Sequence, residues 1–144
     1  MLYLGIDQHR NQLTVDLGNE EGDLIEHRQV RTGWETLRKY FDELRRRSEA
    51  EGGYVAIVEV CGFNDYLLKL LAEYGCREIV LIQPQKRERK KTDRCDARKL
   101  RELLWSNRGR LLEGKRPAGL RRVRWASWTA CSVRSWRPSA SWRP

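Results

Sequence analysis

Tyr54-Val55-Ala56-Ile57-Val58-Glu59-Val60 is a nearly continuous apolar run of strand length, interrupted by one carboxylate. Unbroken apolarity over so few residues is the pattern of a strand covered on both faces. Gly62-Phe63-Asn64 turn the chain into a helix carrying Leu67, Leu68, Leu71 and Tyr74, with Gly75 as its C-terminal cap. Glu78-Ile79-Val80-Leu81-Ile82 is the next buried strand, and Pro84 ends it. Strand, helix and strand with short links imply a parallel pair joined by a right-handed crossover.

Upstream, Leu2 to Asp7 read as a short buried strand ending on a carboxylate. Residues 12–17 alternate apolar and polar, the mark of a half-buried strand. A turn at 18–23 leads to a third, more polar strand over 24–31, so the three form an antiparallel meander. Thr32-Gly33 open a helix over 34–47 with Trp34, Leu37, Phe41 and Leu44 on one stripe. Arg45, Arg46 and Arg47 suit the negative end of its dipole, and Gly52-Gly53 break the chain.

Downstream, a further helix is expected from Thr92 or Asp93 to Trp105, with Ala97, Leu100, Leu103 and Leu104 as its apolar stripe. The element order predicts an α/β domain: a mixed five-stranded sheet with flanking helices. It spans 1–106, followed by the start of a connecting helical segment over 107–123. Residues 124–144 contain four of the six tryptophans and no Asp, Glu, Leu or Ile. That biased tail follows neither helical nor strand period and is expected to be disordered. Its repeated Ser-Trp-Arg-Pro text suggests codons of GC-rich DNA read out of frame.

The whole chain of 144 residues carries a net charge of +9, unevenly placed. Residues 1–83 hold 10 Lys/Arg and 15 Asp/Glu, whereas 84–144 hold 19 and 5, giving −5 and +14. Such asymmetry points to a polyanion partner, with a solvated basic tail as the plain alternative. Cys61, Cys76, Cys95 and Cys131 show no C-x-x-C spacing, and the two histidines are His9 and His27. Reduced cysteines are expected instead of a zinc site or disulfide framework. No apolar run approaches the ~20 residues of a membrane span. Met1 to Asp7 lack the pattern of a signal peptide, so a cytoplasmic location is the default.

Four acids stand apart from the surface charge: Asp7, Glu59, Asp93 and Asp96. If the first and fourth strands are neighbours, Asp7 and Glu59 meet at one end of the sheet. Asp93 and Asp96, at i and i+3 of the last helix, then point toward them from one side. Converging carboxylates in a cationic chain suit a pair of Mg2+ or Mn2+ ions that clamp a phosphodiester. Lys86, Arg87, Arg89, Lys90, Lys91, Arg94 and Arg98 are the cations available to neutralise a phosphate backbone. Each acid also has a plain reading. Asp93 and Asp96 suit a helix N-terminus, and Asp7 suits a turn cap. Glu59 is harder to dismiss, because burying an acid among Val and Ile is costly without a partner. His9 stands close to Asp7 and reads as a polar turn residue or a further site residue.

Three motifs occur in order on these elements: Gly5-Ile6-Asp7-Gln8-His9-Arg10, Glu59-Val60-Cys61-Gly62, and Lys91-Thr92-Asp93-Arg94-Cys95-Asp96-Ala97. Together they resemble the Gly-Ile-Asp-x-His-Lys, Glu-x-x-Gly and Lys-Thr-Asp-Arg-x-Asp-Ala of the IS110-type DEDD transposases. The resemblance covers roughly residues 1–123. It implies an RNase H-like, RuvC-like sheet and a divalent-metal site of Asp7, Glu59, Asp93 and Asp96. It also implies DNA strand exchange in transposition. Some members work with a structured guide RNA, which makes RNA a second candidate partner, and the family acts as an oligomer. Arg10 stands where the family has Lys. The family continues into a second domain with a nucleophilic serine; no serine among 127, 132, 135, 139 and 141 has a matching context, so no nucleophile is assigned and incomplete catalysis is expected. A non-catalytic nucleic-acid-binding module and a stand-alone two-metal nuclease are the competing functions.

Overall fold

The computed structural model describes residues 1–59, 64–82, 96–112 and 120–123. Three antiparallel strands open the chain: β1 (Leu2–Gln8), β2 (Gln12–Gly18) and β3 (Leu24–Arg31). Helix α1 (Trp34–Ala50) leads to β4 (Tyr54–Glu59), which pairs parallel with β1. Helix α2 (Asp65–Glu73) then leads to β5 (Cys76–Ile82), parallel to β4. Helices α3 (Ala97–Ser106) and α4 (Arg108–Leu112) precede a last strand, β6 (Leu120–Val123), antiparallel to β5. The sheet order is β3-β2-β1-β4-β5-β6.

The alternation along each strand decides which residues meet which layer. Leu2, Leu4 and Ile6 of β1, Leu13, Val15 and Leu17 of β2, and Tyr54, Ala56 and Val58 of β4 share one core. Leu37, Phe41 and Leu44 of α1 and Leu67, Leu70 and Leu71 of α2 close it. On the other face Tyr3, Val55, Ile57 and Val80 pack against Leu100 and Leu104 of α3. The domain is therefore helix, sheet, helix in three layers, and β4 is covered on both faces as its apolar run requires.

Several expectations need correction. The sheet has a sixth strand: β6 lies inside the stretch 107–123 expected to be helical, where, among the described residues, Arg108–Leu112 is a second short helix. Pro117 and Gly119 stand between α4 and β6, two residues that disfavour a continuing helix. There Leu120–Val123 pairs with β5, which β4 leaves open on that side. The last helix starts at Ala97 and not at Thr92 or Asp93, because Asp96 is its N-cap with extended backbone. Trp34 leaves the core stripe of α1 and is 42% exposed, with the Arg38 guanidinium 4.6 Å above its ring. Tyr40 takes a core place that the stripe had not included.

Among the described residues no helix is long and apolar enough to cross a membrane. Cys76 is a buried free thiol, while Cys61, Cys95 and Cys131 lie outside the described residues. The tail 124–144 also lies outside them.

Candidate functional site

Glu59 ends β4, and Asp7 stands one residue before the end of the adjacent parallel strand β1. The register pairs Ile6 with Val58, so the next residue on each strand is one of the two acids. Both stand at positions that alternate with the α1/α2 core, on the face that α3 covers. Burial first, and then the nearby Asp7 charge, push the Glu59 carboxyl above its ordinary value. Two carboxylates so placed repel each other, and both desolvation and repulsion favour the protonated form.

Asp7 has a close partner. His9 Nε2 lies 2.9 Å from Asp7 Oδ2. The backbone fixes His9 as well, because its N–H donates to the Gln12 carbonyl at 2.9 Å. His9 is thus both a turn residue and a neighbour of the site.

On the opposite face the same end of the sheet is stapled by amides. Asn64 Nδ2 donates to Gln8 Oε1 and to the Glu59 carbonyl, each at 3.0 Å. Gln8 Nε2 donates to the Tyr66 hydroxyl at 3.1 Å. These bonds tie the ends of β1 and β4 to the start of α2, directly behind the acids. Sequence reasoning missed them, since Asn64 read as a turn residue and Gln8 as the x of a motif.

Helix α3 closes the site from above. A Cβ on Gly5 would collide with the Ala97 carbonyl oxygen and stand 2.6 Å from the Arg101 nitrogen. Only glycine lets the helix backbone come so near the strand. From Ala97 over Gly5, α3 runs back along β1 toward Leu104 and Arg108, which lie beside Met1 and Tyr3. Its N-terminus therefore lies toward the Asp7 end. There Asp96 Oδ1 accepts the Lys99 N–H at 2.9 Å. Asp96 is therefore the N-cap of α3, and its carboxylate is engaged by the helix's own first turn.

Asp93 lies outside the described residues, as do Lys86, Arg87, Arg89, Lys90, Lys91, Arg94 and Gly62. The same-face relation expected for Asp93 and Asp96 within a helix does not arise, because Asp96 precedes the first helical residue. Arg98 is described and exposed, and its Nε donates to Glu102 Oε1 at 2.9 Å one turn on. Among the described residues no three His, Cys, Asp or Glu side chains group closely enough to hold a metal ion. The donor chemistry still fits a hard cation: Asp7 and Glu59 offer carboxylate oxygens and repel one another without it.

A second polar cluster was not foreseen. Arg101 Nε donates to Asp16 Oδ2 at 2.7 Å, and His27 Nδ1 lies 2.9 Å from Asp16 Oδ1. Arg101 Nη1 donates to the Gly22 carbonyl at 2.9 Å, and Trp105 Nε1 to the Glu20 carbonyl at 2.9 Å. Strand alternation assigned Asp16 to the polar face of β2, and that face is the one α3 covers. The available signal was Arg101 itself, which sits at helical spacing from Ala97 and Leu104.

The chain matches no family model and no curated protein.

Proposed function

We propose that this chain is the metal-binding part of a DEDD transposase that acts on DNA in the transposition of an insertion sequence. The reading is carried by one observation: Asp7 and Glu59 stand on adjacent parallel strands at one end of the sheet, beneath the N-terminus of α3. The strand order β3-β2-β1-β4-β5, in which β2 alone runs opposite to the other four, is compatible with an RNase H-like sheet. The three motifs named above supply the family.

On this reading Asp7 and Glu59 hold Mg2+ or Mn2+, with Asp96 and Asp93 as the further ligands. A divalent ion bound there polarises a phosphodiester and orients the attacking and leaving oxygens. The residues have their own tasks. Asp7 and Glu59 supply negative charge from rigid strand ends. His9 holds the Asp7 carboxylate in one orientation. Asn64 locks the Glu59 backbone from behind. The +14 charge of residues 84–144 provides the phosphate contacts. DNA is the first partner, a structured RNA the second, and the cytoplasm the location.

The cap made by Asp96 favours a second reading, a nucleic-acid-binding module whose acids are structural. Thermal unfolding with increasing Mg2+ separates the two. A ligand that binds only the folded state at 100 times its Kd adds about 2.7 kcal/mol. The melting temperature of the wild-type chain is expected to rise with Mg2+, and that of Glu59→Gln to stay flat. Equal responses, or none in either protein, favour the binding module.

A further inference from the structure

The turn 9–11, the end of β3 and the start of α1 lie at the end of the sheet that carries Asp7 and Glu59. Arg31 pairs with Gln12 in the β2–β3 register. The Asn11 carbonyl accepts the Thr32 N–H at 3.1 Å, which ties the turn bearing Arg10 to the segment that opens α1. Arg10, Arg31, Trp34 and Arg38 are all exposed on these segments.

A single exposed apolar residue is ordinary on a protein surface. Trp34 differs in its surroundings. Its stripe partners Leu37, Phe41 and Leu44 are buried, yet Trp34 keeps nearly half of its surface in solvent. The Arg38 guanidinium, one turn on, lies 4.6 Å from its ring centroid and holds the indole on one face. Trp105 shows the structural use of the same pairing. Arg108 stacks on it at 4.1 Å, but its ring covers Gly22 and its N–H donates to the Glu20 carbonyl. Among the described residues no such bond engages the Trp34 N–H.

The cations divide in the same way. Arg28, Arg45 and Arg47 pair with Glu26, Glu43 or Glu49 along β3 and α1. Arg10, Arg31 and Arg38 have no carboxylate partner among the described residues. Glu35 is the acid of the first turn of α1, where it suits the positive end of the dipole. A held, half-open indole among unpaired cations suits a ligand with flat faces and regularly spaced negative charges. An unpaired nucleic-acid strand has both: its bases stack on aromatic rings and its phosphates meet guanidinium groups. A duplex keeps its base faces inside the stack and offers the indole none.

We propose that Trp34, with Arg38 on one face of its ring and Arg10 and Arg31 at the same end of the sheet, is a stacking platform for single-stranded nucleic acid. β3 lies two strands from β1, about 10 Å across the sheet, so a strand on the platform runs past the end that carries the acid pair. The inference rests on the nucleic-acid reading above and needs no metal ion.

Fluorescence anisotropy of a labelled oligothymidylate of about 12 nucleotides, within the span of one such groove, measures the affinity of the full chain. Trp34→Ala is expected to bind about tenfold more weakly, the loss of one stacked base, with the salt slope unchanged. Trp34→Phe keeps a ring and is expected to retain most of the affinity. Arg10→Gln combined with Arg31→Gln is expected to flatten the slope of log Kd against log salt by about 1.4, two phosphate contacts at about 0.7 each. A blunt duplex of the same length is expected to bind wild type and Trp34→Ala alike. Wild-type affinity of Trp34→Ala for the single strand, an equal loss on the duplex, or a loss in Trp34→Phe as large as in Trp34→Ala overturns the proposal. If Trp34→Ala does not fold, the arginine double variant decides, and an unchanged salt slope overturns the proposal. Two failures stay distinct. A wild-type chain that binds neither oligonucleotide sinks the nucleic-acid reading itself; wild-type binding that Trp34→Ala leaves intact sinks the platform alone.

Discussion

Asp16 and Arg101 lie 85 residues apart in the chain and form an ion pair at 2.7 Å with side chains only 2% and 7% exposed. The pair joins the first hairpin to the last long helix, across the face of the sheet that carries Asp7 and Glu59. Removing one partner strands a buried charge, which typically costs about 3–5 kcal/mol. Asp16→Ala is therefore expected to lower the urea unfolding free energy by about that amount. The apolar pair Asp16→Leu with Arg101→Met is expected to recover most of the loss. Losses in the double variant equal to the sum of the single ones would contradict the direct pairing.

Gly5→Ala tests the closeness of α3 to β1. The added methyl meets helix backbone and not a movable side chain, so α3 must shift. Overpacking of this kind costs about 1–3 kcal/mol or more. Chemical denaturation is expected to show a loss in that range, together with weaker divalent-ion binding. A Gly5→Ala variant as stable as wild type would mean that α3 does not sit on this residue.

Five strands and the meeting of Asp7 with Glu59 were legible in the sequence because strand alternation and apolar runs are local signals. The β1–β4 adjacency stood in the sequence only as a condition, because α1 carries the chain from β3 at the sheet edge past β2 and β1 to reach β4, a step that local signals leave open. The rest depends on what α3 covers. Asp16 looked solvent-facing because nothing in 12–17 announces a helix docking above it. Asp96 as N-cap, and not second turn, follows from its extended backbone, a single-residue choice that an Asp-x-x-Asp spacing leaves open. Strand β6 is called up by the open side of β5, and that opportunity is written in the sheet and not in Leu120–Val123.

The raised titration of Glu59 has a definite pH signature. Its folded-state value lies above the unfolded one, so the native state holds this proton more tightly. Its contribution to stability is then greatest at low pH and is lost as pH rises from the unfolded carboxyl value, about 4.3, through the raised folded value. Glu59→Gln removes that loss. Thermal melts from acid to neutral pH without divalent ions are expected to show the variant gaining on wild type as pH rises. A constant difference across that range would place Glu59 in an ordinary solvated setting.

Burial pushes the Cys76 thiol up to about 12, and its Sγ–H donates to the Glu78 carbonyl at 3.1 Å. Only the thiolate alkylates. Mass spectrometry of iodoacetamide-treated native protein at neutral pH is expected to find Cys76 unmodified, and modified once urea unfolds the chain. Rapid native labelling at Cys76 would show that this end of β5 opens.

The central claim is that Asp7 and Glu59 form a divalent-cation site. Isothermal titration of Mn2+ into the wild-type chain, Asp7→Asn and Glu59→Gln addresses it most directly, with circular dichroism to confirm that all three are folded. The account predicts saturable binding by the wild type and none by either variant at the same concentrations. The same Mn2+ affinity in all three proteins would contradict it.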